Sequence, residues 1–582
     1  MTDEAPNRNH LWARLLIGEL ARQGTVHFTV APGSRSTPLA LAVAACAPEA
    51  CTVHYDERGA AFHALGCARA TGRPAAVICT SGSAVANLWP AVVEARMARA
   101  PLLLITADRP PELIDCGANQ AIDQTKIFGD HVVWQAQIPC PDSAIAPAYV
   151  LGTAAQAARR AQAGPVHLNC QYREPLAPVP AGDLRAEEQD ALRAWRAAAQ
   201  PHTRHTAPLL APAPEAIDAL RAQVDGARRG VLLIGQLAGP AERAAALGIA
   251  RALGWPALAD VTSGLRLGMT GAPFVPHYDQ LLLSDAFRAA FQPDTVLHLG
   301  GAITSKRLNE HLAALRPAYA LIAPHAARQD PVHQVSLRVE ADIAACATAL
   351  PPRPAPGWGD GFPALSDAVA RAMDAWLDAH DGITEMAVAR AVSRLRPEGA
   401  TLYLGSSMPI RDMDLHGDAA GPPGPVAANR GASGIDGNIA CAAGHADATG
   451  RPVVAVLGDL ATLHDLNSLA LLRGARAPVL LVVINNDGGG IFHFLPVAGH
   501  PAHFERFFGA PHGMDFRHAA AQFGLAHAAP DSAAALATAC RDALASGASA
   551  MVEVRTRRDE NIAAHRELQA HLRTEVDRLI LG

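Results

Sequence analysis

The sequence predicts an α/β protein built from three doubly wound domains with parallel sheets. Three observations predict it. At 582 residues the chain is too long for one hydrophobic core. Short apolar runs alternate with Ala/Leu/Arg-rich helical stretches, the pattern of βαβ units. Two proline-rich stretches, "AAAQPHTRHTAPLLAPAPE" (residues 197 to 215) and "PPRPAPGWGDGFP" (residues 351 to 363), interrupt that alternation and read as interdomain linkers. They divide the chain into domains at 1–195, 196–355 and 356–582.

In the first domain the strands are "VHFTVAPGS", "AAVICTSGS", "PLLLITAD" and "GPVHLNC". The middle domain offers "GVLLIG" and "DTVLHLGG", and the last offers "TLYLGSS", "RPVVAVLGD", "PVLLVVINN" and "AMVEV". Each is a run of aliphatic residues suited to a strand buried on both faces. The closing stretch from Asp559 to Leu581 has helical spacing and mixed charge, so a surface helix is expected. No sequence repeat indicates duplication.

Half of the residues are hydrophobic, enough for several cores. A net charge of −6 and a pI near 6.5 supply no global basic field, which argues against nucleic acid as a partner. Anionic ligands must therefore be held by local cations. The ten cysteines form no C-x-x-C and no regular framework, and read as buried thiols of a reducing compartment. The polar, acidic N-terminus is unlike a signal peptide, and no run reaches the ~18 apolar residues of a membrane span, so a cytoplasmic protein is expected. Only two lysines occur, Lys126 and Lys306, against a background rich in arginine.

The richest local signal is "NNDGGGIF" (residues 485 to 492), directly after the apolar run "PVLLVVI". The carboxyl ends of strands are where open α/β sheets hold ligands. A second run, "VVAVLGD", ends in Asp459, and Asn486 follows 27 positions later. One helix and a turn fit between them, so the two strands can be neighbours whose ends converge. An aspartate oxygen, an amide oxygen and a carbonyl from the glycine-rich turn form a hard-oxygen half-shell suited to Mg²⁺ and phosphate. The glycines would let backbone approach a diphosphate. The alternative is structural, with Asp459 capping a helix and Asn485 to Gly488 forming a tight turn.

This spacing resembles the magnesium-diphosphate signature of thiamine-diphosphate enzymes, which build three α/β domains in this order. The third position of their GDG pattern is Leu460 here. The resemblance implies a glutamate against the aminopyrimidine ring, and "HYDERGAAFHALG" places Glu57 there. A buried glutamate bonded to the ring nitrogen N1′ promotes the imino tautomer, which takes the proton from the thiazolium C2.

Four further strings narrow the match: "APGSRSTPL" (31 to 39), "TADRPPELIDCGANQAIDQ" (106 to 124), "SKRL" (305 to 308) and "NRGASGIDG" (429 to 437). Together they resemble the 2-succinyl-5-enolpyruvyl-6-hydroxy-3-cyclohexene-1-carboxylate synthase family of menaquinone biosynthesis. The resemblance implies a transferase that decarboxylates 2-oxoglutarate on thiamine diphosphate and adds the succinyl carbanion to isochorismate by a 1,4-addition. Both substrates are dianions, so guanidinium groups that pair bidentately with carboxylates are expected.

By this resemblance Ser34, Arg35, Arg109, Asn119, Gln120, Lys306 and Arg307 face isochorismate. Ser407 and Arg411, in "GSSMPIR", hold the distal carboxylate of the succinyl adduct. Glu57, Arg35, Lys306 and Arg411 form the catalytic set. Asp459, Asn486 and the carbonyl of Gly488 hold Mg²⁺ or Mn²⁺. Arg430 supports the cofactor, Ile435 wedges it into a bent shape, and Ile491 and Phe492 pack its rings. The family also implies a homodimer or homotetramer, with the two halves of each cofactor site on different subunits.

Seven of the fourteen phenylalanines lie between Phe492 and Phe523, a hydrophobic cover, subunit contact or core segment. Histidines 493, 500, 503, 512 and 518 show no regular ligand spacing and are not read as a metal site. An acetohydroxy acid synthase or a simple 2-oxo acid decarboxylase would share Glu57, Asp459 and Asn486 but has no use for the basic cluster. A binding protein for an anionic metabolite finds its only support in Leu460. P-loop and flavin readings fail for want of G-x-x-x-x-G-K-[ST] and of G-x-G-x-x-G after a middle-domain strand.

Overall fold

The computed structural model describes residues 4–350, 357–380 and 382–582. Its strands form three sheets in which every pairing is parallel. The first sheet comprises β1 (Phe28–Val30), β2 (Cys51–Val53), β3 (Ala75–Cys79), β4 (Leu102–Asp108), β5 (Trp134–Ile138) and β6 (Val166–Gln171), in the order β2-β1-β3-β4-β6-β5. The second comprises β7 (Gly230–Ile234), β8 (Ala257–Ala259), β9 (Thr295–Leu299), β10 (Ala318–Ala323) and β11 (Leu337–Glu340), in the order β11-β10-β9-β7-β8. The third comprises β12 (Thr401–Leu404), β13 (Val426–Ala427), β14 (Val453–Gly458), β15 (Val479–Asn485), β16 (Ala526–Ala528) and β17 (Ala550–Arg555). Its order, β13-β12-β14-β15-β17-β16, repeats that of the first sheet. The expected α/β class is the observed one, and the outer sheets share a topology that their sequences do not reveal.

The central strands are buried along their length, including polar residues such as Thr106, Asp108 and Asn485. β4 and β15 are buried at every residue. Two helices join the first sheet to the third. The Glu57–Thr71 helix starts at Asp56, whose carboxylate accepts from the Arg58 and Gly59 N–H groups, and stops at Gly72 with φ 67°. It packs against the Asn438–Thr449 helix at near backbone contact. A Cβ at Gly66 would lie 2.3 Å from the Cys441 carbonyl oxygen, and one at Gly444 would lie 2.2 Å from the His63 carbonyl oxygen. Phe62, Leu65, Ile439 and Ala440 therefore belong to one continuous core with β3, β4, β14 and β15.

The middle sheet shares a core with elements from the end of the chain. Met373 of the Phe362–Ala379 helix and Leu568, Leu572 and Val576 of the Arg558–Leu581 helix pack with Leu281 and Phe287. The expected closing helix is thus present, its apolar stripe on the middle domain and its charged face in solvent.

The expected strands are found, but β2, β5, β8, β10, β11, β13 and β16 were not anticipated. Several have only two or three residues, and β5 ("WQAQI") alternates with glutamine, so neither carries a sustained apolar run. The first linker lies between the Ala186–Ala197 and Pro214–Gly226 helices, as expected. Residues 351 to 356 of the second lie outside the described residues, and Phe362 and Pro363 at its end open a helix instead of extending the linker. Cys116 is exposed, which departs from the expectation of buried thiols. Among the described residues no helix is long and apolar enough to cross a membrane.

Candidate active site at the sheet edges

β14 and β15 are neighbours in register, Gly458 opposite Ile484, so the two motif ends emerge side by side. Asp459 is 2% exposed and opens the Asp459–His464 helix. Its Oδ2 accepts from the Gly488 N–H at 2.8 Å and lies 3.2 Å from His512 Nε2, and its Oδ1 accepts from the Leu460 N–H at 2.6 Å. Burial pushes its carboxyl above the usual range against those bonds. Asn486 donates through Nδ2 to Glu385 Oε1 at 2.8 Å, while its buried Oδ1 makes no hydrogen bond among the described residues. An amide oxygen left without a donor beside a buried carboxylate is a donor set for a hard dication. The Gly488 carbonyl accepts from the Gly490 N–H at 3.0 Å and keeps a second lone pair for such an ion.

The structural reading of "NNDGGGIF" is also realised. Asp487 has φ 60° and accepts from the His512 and Gly513 N–H groups at 2.8 and 2.7 Å, as a turn residue would. The glycines also have a structural reason of their own. A Cβ at Gly488 would meet the Gly509 carbonyl at 1.9 Å, and one at Gly489 the Phe508 carbonyl at 2.1 Å. Their smallness is demanded by the 505–510 segment folded over them. Leu460 is explained equally simply. It is the second residue of a helix and is not among the positive-φ residues, so this position has no need of glycine.

Phe492 stacks edge-on to Phe508 at 5.6 Å between centroids, and Phe508 stacks on Phe504 at 6.0 Å. Phe507 and Met514 of the same aromatic stretch are 64% and 54% exposed, whereas Phe516 is core. The stretch is therefore part cover and part core. Ile491 is half-buried, and Ile435 is 40% exposed in a loop flanked by glycines, an apolar side chain free to meet a ligand.

Glu57 is the first residue of its helix, and its Oε2 accepts from Asn87 Nδ2 at 3.2 Å. It is half-buried in the single chain, not buried as expected, because the helix N-terminus opens at the sheet's carboxyl edge. No hydrogen bond or ion pair among the described residues joins it to Asp459 or Asn486.

The predicted cations form two groups. In the first domain, Arg35 is 8% exposed, its Nη1 donates to the Tyr172 carbonyl at 3.0 Å, and burial followed by the nearby Arg109 charge lowers its pKa. Arg109 donates to Ser81 Oγ at 3.2 Å and to the Asn119 carbonyl at 2.7 Å. Gln120, with φ 56°, donates from Nε2 to the Ser81 carbonyl at 2.9 Å. Ser34 is exposed at the head of this group. The second group lies between the middle and last domains. Lys306, Arg307 and Arg411 line one cavity of about 160 Å³ together with Asp279 and Asp414. Asp279 is paired with Arg307, and Lys306 reaches solvent with a 3.4 Å contact to Glu310. Arg411 has its pKa lowered by burial and then by Arg430. Ser407, whose carbonyl accepts from Arg411, holds φ 72° and ψ −129°, a strained conformation for serine at a strand end. A larger cavity of about 710 Å³ lies near β16 and β17, lined by residues such as Ala534, Thr538 and Met551, away from all of these groups.

Sequence reasoning missed three supports. Buried Glu94 of the Trp89–Ala98 helix accepts from the N–H groups of Gly431, Ala432 and Ser433 at 2.8, 2.6 and 3.3 Å, fixing the loop that carries Arg430 and Ile435. Ser81 holds Arg109 and Gln120, and Glu385 orients Asn486. A lone acid inside "WPAVVEARMA" was the only signal for Glu94.

Three family profiles match this chain. They are an N-terminal TPP binding domain of thiamine pyrophosphate enzymes over residues 12–127, a middle domain of such enzymes over 186–404, and a C-terminal TPP binding domain over 420–554. Similar proteins extend over nearly the whole chain. A Rubrobacter xylanophilus protein named 2-succinyl-5-enolpyruvyl-6-hydroxy-3-cyclohexene-1-carboxylate synthase is 49% identical over 576 residues, 98% of this chain and 99% of the relative. The chain belongs to that synthase family. A Salinibacter ruber member with the same name is 46% identical over 584 residues, covering 99% of this chain and 98% of its own. One from Chlorobium phaeobacteroides is 41% identical over 578 residues, with 98% and 99% covered. Membership in this synthase family makes thiamine diphosphate, another name for thiamine pyrophosphate, the cofactor, and the two terminal profiles cover Glu57, Asp459 and Asn486.

Proposed function

We propose that the chain is a thiamine-diphosphate-dependent transferase that decarboxylates 2-oxoglutarate and adds the succinyl unit to isochorismate by 1,4-addition. The products are CO₂ and 2-succinyl-5-enolpyruvyl-6-hydroxy-3-cyclohexene-1-carboxylate, for menaquinone biosynthesis. The observation that carries the acceptor and donor is the convergence of Lys306, Arg307 and Arg411 on one cavity in a protein of net charge −6. Three cations around one cavity, one of them offset by Asp279, suit substrates that carry two carboxylates.

Bound thiamine diphosphate supplies the carbon nucleophile and the electron sink for decarboxylation. The residues of the chain bind, orient and move protons around it. Asp459, Asn486 Oδ1 and the Gly488 carbonyl would hold Mg²⁺ or Mn²⁺, whose charge anchors the diphosphate. Glu57 holds a proton against the aminopyrimidine nitrogen. Ile435, Ile491 and Phe492 would pack against the cofactor rings, Ile435 acting as the wedge between them, and Arg430 would add positive charge for the diphosphate. Arg411 fixes the distal carboxylate of the donor with Ser407. Lys306 and Arg307 present the acceptor from the middle domain, and Ser34, Arg35, Arg109, Asn119 and Gln120 present it from the first.

Lys306, Arg307 and Arg411 sit apart from Arg35 and Arg109, which supports a site completed by a second subunit, in a homodimer or homotetramer. The domain limits at 195/196 and 355/356 remain part of this proposal, the second lying outside the described residues. A cytoplasmic setting suits free, buried thiols such as Cys67 and Cys441. The test is an assay with thiamine diphosphate, Mg²⁺ and 2-oxoglutarate that follows CO₂ release and isochorismate consumption together. Equal, cofactor-dependent loss of both substrates supports the reading. CO₂ release without isochorismate loss would reassign the acceptor, and no turnover of either would overturn the synthase.

A further inference from the structure

A second cluster of metal-binding side chains lies behind the Arg411 helix. Asp412 and His416 occupy positions i and i+4 of the Met408–His416 helix, so they share one face. That face meets His565 of the Arg558–Leu581 helix. Asp412, His416 and His565 are 1%, 0% and 1% exposed. His565 Nε2 lies 3.3 Å from Asp412 Oδ1, His416 Nε2 lies 4.0 Å from the same oxygen, and one donor atom from each residue falls within 4.8 Å of the others. Neither carboxylate oxygen of Asp412, neither ring nitrogen of His416, nor His565 Nε2 makes a hydrogen bond among the described residues. Polar atoms this deeply buried are ordinarily bonded.

His27, His63 and Cys67 also converge, but His63 is bonded through both nitrogens, to Thr29 Oγ1 at 2.8 Å and Asp447 Oδ2 at 3.0 Å. That group is satisfied within the protein. The Asp412 group is not, and its atoms face one another.

We infer that Asp412, His416 and His565 form a binding site for a divalent transition-metal ion of the zinc class, separate from the Asp459 site. Two imidazoles and one carboxylate are borderline donors that favour zinc over magnesium. Bonds of ~2.0–2.1 Å in a tetrahedron place donors ~3.3 Å apart, the separation already held by Asp412 and His565. His416, 4.0 Å from the same Asp412 oxygen, would have to move closer to join them. Both imidazoles are buried, and His416 Nδ1 and Nε2 and His565 Nε2 make no hydrogen bond among the described residues, so these nitrogens are free to ligate. Asn561, one turn before His565 on the same helix, is buried with its Oδ1 making no hydrogen bond among the described residues. Phe494 packs edge-on to His565 at 5.1 Å and shields the cluster.

The ion would be structural. It would tie the helix that carries Arg411 to the closing helix and to the Gly490–Phe494 segment, which holds Ile491 and Phe492. The site stands on its own geometry and does not depend on the proposed reaction.

The test uses the full-length protein stripped with EDTA and loaded with Zn²⁺ in the absence of thiamine diphosphate. Crystals measured above and below the zinc absorption edge should show an anomalous peak ~2.1 Å from His565 Nε2. No peak there overturns the site. In solution, Asp459→Ala should still bind one equivalent of Zn²⁺, with the affinity falling at least ~10-fold when Asp412→Asn or His565→Gln is added. Binding that disappears with Asp459→Ala alone, or that ignores both cluster substitutions, overturns it as well.

Discussion

Glu57 and Asp459 carry different parts of the proposed chemistry, and substitution separates them. Glu57→Gln keeps an oxygen that can accept from Asn87 but removes the exchangeable proton. Turnover should fall by ~10²–10⁴, the usual worth of general acid–base catalysis, while calorimetry still detects tight binding of Mg²⁺ and cofactor. Asp459→Ala removes a buried oxygen of the metal set and should abolish that binding signal itself. Unchanged turnover in the first variant, or unchanged binding in the second, would break the assignment. Asp459 and Asn486 were legible because each ends a long apolar run and the spacing allows one helix between them. Glu94 was not legible, since a single acid in an alanine-rich helix looks like a solvated face until the loop it holds is seen. The positive φ of Ser407 was hidden for a similar reason, because neighbouring elements impose it.

At the scale of elements, the joint between the first and last domains rests on two glycines. Gly66→Ala would drive a methyl group into the Cys441 backbone, which cannot yield as a flexible side chain would. The helices must separate, at a cost of roughly 1–3 kcal/mol, read as a lower urea midpoint. Gly248→Ala is the control. Gly248 lies inside the Pro240–Leu253 helix with nothing within 4 Å of its added carbon, so this change should stabilise by ~0.4–1 kcal/mol. Equal effects at both sites would remove the close-packing argument. This joint was only half legible. The strands beneath it, β3, β4, β14 and β15, show in sequence as aliphatic runs, but the glycine contacts depend on which helices meet. Edge strands such as β2 and β16 escaped notice because three residues paired on one side need no apolar run. β10, "AYALIA", is a plainer miss, since alanine-rich runs read equally well as helix.

Over the whole molecule, buried histidines set the response to acid. Burial lowers His167 and His445 to about 3 and His298 to about 4. Their unfolded values lie near 6.5, so between pH 6.5 and 4 the unfolded chain takes up protons that the fold refuses, and stability falls as pH falls. The melting temperature of the cofactor-free protein should therefore drop progressively from pH 7 to pH 5, and a flat profile would contradict the buried, neutral state of these rings. The division of the cations into two groups makes a different kind of prediction, about assembly. If Glu57 of one subunit serves the Asp459 site of another, a mixed dimer of Glu57→Gln and Asp459→Ala chains holds one intact site and one doubly defective site. If each chain serves itself, every site in the mixture carries one defect. Denaturing and refolding the two inactive variants together should thus restore about a quarter of wild-type activity under random pairing, because about half of the dimers are mixed and each has one working site. Recovery identifies the working unit as the dimer and explains why no bond joins Glu57 to Asp459 within a single chain. Its failure, with refolded wild-type protein active in the same experiment, would place both halves of the site on one chain.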